Sequence, residues 1–187
     1  MRSSFGMLIA RAIIGSGIAA HGAQKAFGWF EGSGPQKTAG FMKMLGFEDS
    51  ERMAQAASYN ELISGALIAS GFLGPVGPAI LLVNMLVAME TVHIDNGFFA
   101  SDNGVEVPLL YATAAIALAA GGYGECSLDR LLGTEAIFAK RRWFYLGIGG
   151  AIATAIAVLN QRTLAPPPEG GEEQPVPTPT EADRTAA

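Results

Sequence analysis

The sequence predicts an all-α transmembrane four-helix bundle with an added fifth C-terminal transmembrane helix and a disordered tail. Three observations predict it. Half of the 187 residues are hydrophobic and only 16% are charged, with a mean hydropathy of +0.30, less charge than a water-soluble domain of this size usually carries. Apolar runs of near-membrane length alternate with turn-forming or charged stretches. The final stretch is rich in proline, glutamate and threonine and cannot bury a core. The same totals set limits on function. A net charge of −5 with no basic stripe argues against nucleic acid. With the single cysteine, Cys126, there is no intramolecular disulfide or CxxC redox pair, so redox chemistry would need a bound cofactor or another subunit.

The first segment runs from about Phe5 to Ala20 and continues as helix towards Phe30. Arg11 interrupts the apolar run, which argues against a cleaved leader. Arg11, Gly15, Ile18, Gly22 and Lys25 recur at helical spacing, so one face combines small residues with two cations and should point into a bundle. Residues Ala20 to Phe30 then place His21, Gln24 and Lys25 before Phe27, Trp29 and Phe30, the order expected of a helix reaching the headgroups. Lipid offers no hydrogen bonds, so these polar groups must face protein, a cavity or the interface.

The connection Glu31 to Met53 opens on a Gly-Ser-Gly-Pro turn and mixes apolar residues with lysines from Lys37 to Phe47, which predicts a short helix in the interface plane. Asp49 or Ser50 offers an N-cap for the second segment, about Ala54 to Leu73. There Asn60 and Glu61 lie in the polar first half, and Glu61 shares a face with Gly65, Ile68 and Phe72. Gly74 to Pro78 is a tight reversal, so the third segment, Pro78 to about Ile94, must pack antiparallel to the second. It carries Asn84, Glu90 and His93. Segment four, Pro108 to Tyr123, is alanine-rich and uncharged; segment five, Trp143 to about Gln161, follows Lys140-Arg141-Arg142. That cationic cluster beside a span, set against a connection from Asp95 to Val107 without lysine or arginine, favours a cytoplasmic N-terminus. The divisions expected are a membrane domain over 1–133, a basic connection and fifth helix over 134–163, and the tail over 164–187.

These residues resemble the DoxX family of small bacterial membrane proteins. The likeness runs from about Phe5 to Leu131 through Arg11 with Gly15; His21-Gly22 with Lys25 to Gly28; Phe41 with Leu45-Gly46; Glu61 with Gly65; Thr91 to His93 with Asn96 to Phe99; and Gly122, Gly124 and Ser127 to Asp129. The resemblance implies a four-helix bundle in the bacterial plasma membrane. It also implies association with redox systems: the family takes its name from a subunit of thiosulfate:quinone oxidoreductase, and some members accompany a sulfurtransferase and superoxide dismutase. Glu90, Cys126, the fifth helix and the tail depart from the family pattern.

The candidates for ligand binding or a proton path are Arg11, His21, Lys25, Asn60, Glu61, Glu90 and His93, with Cys126 as a candidate thiol. Arg11 and Glu61 are the expected buried pair, because an unpaired charge at membrane depth costs several kcal/mol. Arg11 or Lys25 would suit an anion such as thiosulfate. His21 and His93 end helices on one membrane side, where they would make helix-end hydrogen bonds; the alternatives are a hydrogen bond to a quinone oxygen or another small ligand and, weaker still, ligation of haem iron. No metal site is expected. The leading reading is a membrane subunit or anchor of a redox system; the alternatives are a non-enzymatic scaffold for soluble partners and a small-solute or proton pathway.

Overall fold

The computed structural model describes residues 2–163, with side chains from residue 5 onward; the expected tail, 164–187, lies outside that range. The described residues form helices α1 (Arg2–Phe27), α2 (Gly34–Met44), α3 (Ser50–Ser70), α4 (Val76–Ala88), α5 (Glu106–Gly121), α6 (Leu128–Leu132), α7 (Glu135–Phe138) and α8 (Arg141–Leu159). Helices α1, α3, α4 and α5 make the bundle, and α8 is added against α4. The sequence reading thus holds in class and in the order of its five long segments. It missed the two short helices between α5 and α8, which are under two turns long and leave no hydrophobic period to detect.

Among the described residues, three helical stretches are apolar and long enough to cross a membrane: Phe5–Phe27, Val76–Asn96 and Arg141–Leu159. Helix α5, at 16 residues, is shorter, and α3 has the length but a polar first half. Burial explains how α3 belongs to the bundle: Ser58, Glu61, Ser64 and Gly65 all lie on its buried face, packed on α1. These polar groups face the inside of the bundle, while Glu51, Arg52 and Gln55 at the start of the helix are exposed.

Helices α1 and α3 run antiparallel in backbone contact. A Cβ added to Gly15 would sit 2.4 Å from the Ala69 nitrogen, and one added to Gly22 would sit 2.4 Å from the Leu62 nitrogen. Seen from α3, a Cβ on Gly65 would come 2.4 Å from the Ala19 nitrogen. Small residues at these three crossings let the axes approach, as in small-xxx-small packing within membranes. The apolar core is one cluster that joins Ile18 of α1 and Ile68 of α3 with Leu81, Leu82 and Met85 of α4, Ala112, Ala115 and Leu118 of α5, and Ala151 of α8.

The ends of the elements follow local chemistry. Asp49 caps α3 by accepting from the Arg52 amide, and α3 stops at Gly71, whose φ of +71° a side chain would resist. Helix α2 begins at Gly34, slightly earlier than expected, because Pro35 occupies the first helical turn, where its missing N–H costs nothing. It packs on α3 with Thr38 buried. Beyond Ala88 the third segment changes form: Met89–His93 is a single π turn, followed by a 3₁₀ turn at Ile94–Asn96.

Candidate functional site

The antiparallel register of α1 and α3 decides which charges meet. Gly22 lies against Ser58 and Leu62, so the next turn of α1 brings Lys25 to Glu61. The Lys25 Nζ donates to Glu61 Oε1 at 2.5 Å, with the lysine side chain 35% exposed and the glutamate 8%. Arg11 lies fourteen residues earlier on α1, about 21 Å along the axis at 1.5 Å per residue, level with the far end of α3. The expected Arg11–Glu61 pair is therefore corrected. Arg11 Nη1 donates to the Ala69 carbonyl at 2.5 Å and Nη2 to the Cys126 carbonyl. It is a buried cation at the C-terminus of α3, where the last carbonyls lack helical partners and the helix dipole is negative.

A cavity of about 230 Å³ opens beside the Lys25–Glu61 pair. Helix α2 and the turn after it contribute Phe41, Met42, Leu45 and Phe47; α3 contributes Met53, Asn60 and Glu61; the α4 segment contributes Asn84, Val87, Thr91, Val92 and His93; α8 contributes Val158. Of the apolar stripe of α2, expected to rest on the membrane surface, Phe41, Met42 and Leu45 line this cavity, while Met44 is exposed. Glu61 Oε2 is buried and has no hydrogen-bond partner. A buried carboxylate oxygen without a donor is costly, so this atom is an acceptor that the fold leaves open.

The π turn helps shape the wall. It adds a residue to one turn, a feature often found at functional sites, and it carries Thr91, Val92 and His93 into the cavity lining. His93 Nδ1 lies 2.7 Å from the Asn103 carbonyl oxygen. A carbonyl only accepts, so Nδ1 carries the proton and Nε2 is the ring atom left for a ligand.

The other sequence candidates fall elsewhere. His21 is exposed and bonds Gln24 on its own helix at 3.1 Å; it does not line the cavity, so the paired-histidine arrangement expected for quinone or haem is not formed by His21 and His93. Glu90 is exposed and outside the lining. Cys126 is exposed on the loop after α5, at the Arg11 end. Among the described residues, no group of three His, Cys, Asp or Glu is placed to hold a metal ion.

Asn84 and Thr91, noted in the sequence but not among the site candidates, also line the cavity. Their spacing of seven, with Val87 and Ala88 between, marks one face of α4 and was a usable signal. Glu90, six residues past Asn84, falls about 240° round an ideal helix, which is why it points away. A second polar cluster at the Arg11 end also went unassigned. Asp129 is buried, accepting from the Leu73 amide at 3.1 Å, the Gly74 amide at 2.7 Å and the Thr134 hydroxyl at 2.8 Å. Beside it, burial and then the Asp129 charge push the Tyr123 phenol upward from its ordinary value, so Tyr123 stays neutral at any physiological pH.

Residues 6–94 match the DoxX family model. The chain carries a DoxX domain. An uncharacterized protein of Haemophilus influenzae is 31% identical over 84 residues, 45% of this chain and 54% of the relative, so the match spans about half of that relative's length. No solved structure matches. The match to the DoxX model ends at the foot of the α4 segment, short of the Leu131 to which the resemblance was expected to run. It covers α1 to α4 and nearly all of the cavity wall; Val158 is the lining residue contributed from outside the DoxX stretch.

Two expected results arise from this geometry. Lys25 is partly exposed and Glu61 is not, so removing the lysine strands a buried carboxylate, whereas neutralising the glutamate leaves a lysine able to reach the interface. Lys25→Met should therefore destabilise the DoxX domain by about 2 kcal/mol more than Glu61→Gln, read from thermal melts in detergent. The second concerns the turn over the cavity. Arg162 Nε donates to the Leu45 carbonyl at 2.8 Å and its guanidinium lies over Phe47, while the Thr163 amide donates to the Gly46 carbonyl at 2.8 Å. The end of α8 thus clamps the turn that carries Leu45 and Phe47. Arg162→Ala should raise amide exchange at residues 45–48 about tenfold, the equivalent of one lost charged hydrogen bond, and leave exchange in α3 unchanged.

Proposed function

We propose that this DoxX protein is a multi-pass subunit of the bacterial plasma membrane that serves a redox system by holding a quinone headgroup in the cavity at Lys25, Glu61 and His93. The observation that carries the reading is the unpartnered Glu61 Oε2 at a mostly apolar cavity. Mostly apolar walls with a few convergent polar groups are the usual form of a small-ligand site. At about 230 Å³ the cavity lies below the ~300–1,000 Å³ of sites that enclose a drug-sized ligand, which suits a single ring whose tail leaves between helices.

A bound quinone supplies electron and proton acceptance. The chain's own groups do the rest. Glu61 Oε2 would accept from a hydroxyl of the reduced, quinol form, Lys25 Nζ would set a positive charge beside a carbonyl oxygen of the oxidised form, and His93 Nε2 would offer a further hydrogen-bonding atom. The aromatic and methionine side chains of α2 exclude water and strengthen these contacts. Electrons would come from a soluble partner acting on a sulfur compound such as thiosulfate, with a sulfurtransferase or superoxide dismutase as the partners the family resemblance suggests. Arg11, committed to two carbonyls at the other end, holds no substrate anion in this scheme.

The test is purification in mild detergent followed by extraction of lipid-soluble compounds. Near-stoichiometric quinone, together with thiosulfate-dependent quinone reduction when the co-purifying proteins are present, supports the reading. Partners without quinone would instead make the protein a scaffold. Solute flux in liposomes without either would make it a pathway.

A further inference from the structure

The end of the bundle opposite the Lys25–Glu61 cavity holds a larger cleft, about 630 Å³, where α5 leaves the bundle and α8 begins. One wall is the turn from Leu118 to Gly124; the other is formed by Phe138, Lys140, Arg141, Phe144 and Tyr145. Its charges are unequal in availability. Asp129 lines the cleft, but both of its oxygens are taken by the Leu73 and Gly74 amides. Glu135 is bonded to Arg130 at 2.8 Å. Lys140 and Arg141 make no ion pair among the described residues; Arg141 only lies 5.6 Å from the Tyr145 ring centre.

Two further features converge on the same place. Helix α8, 19 residues long, starts with no side-chain cap; its Trp143 amide donates to the Lys140 carbonyl, which leaves the Arg141 and Arg142 amides at its N-terminus without a helical acceptor. The wall below the cations is aromatic, and Leu146, Ile152 and Ile156 continue exposed along α8. An occupant must therefore be anionic at one end and apolar along the other. We propose that this cleft binds the phosphate headgroup of an anionic phospholipid, with Lys140, Arg141 and the α8 N-terminus holding the phosphate and the acyl chains lying against α8. The site does not depend on the quinone reading, because it shares no residue with that cavity. Its effect is to fix α8, whose far end clamps the cavity turn, to one leaflet.

The experiment is native mass spectrometry of the protein released from nanodiscs of mixed phosphatidylglycerol and phosphatidylcholine. At about fivefold per basic residue near a membrane surface, the two cations should give roughly 30-fold preferential retention of phosphatidylglycerol. The double variant Lys140→Gln/Arg141→Gln should lose that preference while keeping its helical content. Arg142→Gln removes a neighbouring charge that does not line the cleft, and should keep it. Three results would overturn the proposal: no preference in the unaltered protein, equal loss in Arg142→Gln, or displacement of the lipid by inorganic phosphate alone, which would mark a free-phosphate site.

Discussion

Gly65→Ala is expected to destabilise the protein by about 3 kcal/mol, at the upper end for overpacking, because the added methyl meets the backbone of α1 rather than a side chain that could turn aside. A Cβ at this position would lie 2.4 Å from the Ala19 nitrogen and 2.5 Å from the Gly15 carbonyl oxygen, and neither can move without separating α1 from α3. Gly22→Leu, with the Leu62 nitrogen at 2.4 Å, should prevent the pair from closing and abolish assembly. The contrast lies at Gly149, which faces open space on α8; there alanine relieves the helix-propensity penalty and should be neutral to stabilising by about 0.5–1 kcal/mol. Thermal melts of the three variants in one detergent check the order. Equal effects at Gly65 and Gly149 would mean that α1 and α3 are not in backbone contact.

The second large effect is expected at Arg11. Its guanidinium joins three parts of the chain: α1, the last turn of α3 through the Ala69 carbonyl, and the loop after α5 through the Cys126 carbonyl. Arg11→Gln leaves at least one of these buried acceptors without a donor and removes the cation from the negative end of α3, a loss of roughly 3 kcal/mol. Arg11→Lys should restore only part of it, since an ammonium is a point charge and cannot reproduce a planar fork across two acceptors. Amide exchange separates this role from the ligand site. Residues 123–129 should lose protection in Arg11→Gln, while the Leu45–Glu48 turn, about 20 Å away along the bundle, should keep it.

The faces of the helices were legible in the sequence, whereas their registers were not. Gly15, Gly22, Glu61 and Gly65 could be assigned to the interior because helical periodicity and the cost of charge in lipid both point them inward, and all four are buried. Periodicity says nothing of how far one helix slides along another. The register gave Glu61 to Lys25, and Arg11 to two carbonyls that no sequence pattern marks. The remaining omissions share a cause. The clamp between Arg162 and Leu45 joins residues 117 apart in the chain, and Asp129 reaches the α3–α4 turn from 55 residues away, so neither has a local signature. The π turn is equally silent, because the residues from Met89 to His93 read as ordinary α-helix.

The central claim is that the open Glu61 oxygen receives a ligand ring between α1, α3 and the α4 segment. It is tested most directly by titrating the protein in nanodiscs with a short-chain quinol, whose hydroxyl can donate to that oxygen, following tryptophan fluorescence, for the unaltered chain and for Glu61→Gln. The account predicts saturable binding that weakens at least tenfold in Glu61→Gln while its melt shows the fold retained, as loss of one charge-assisted hydrogen bond requires. Absence of saturable binding, or equal affinity in the two proteins, would contradict it.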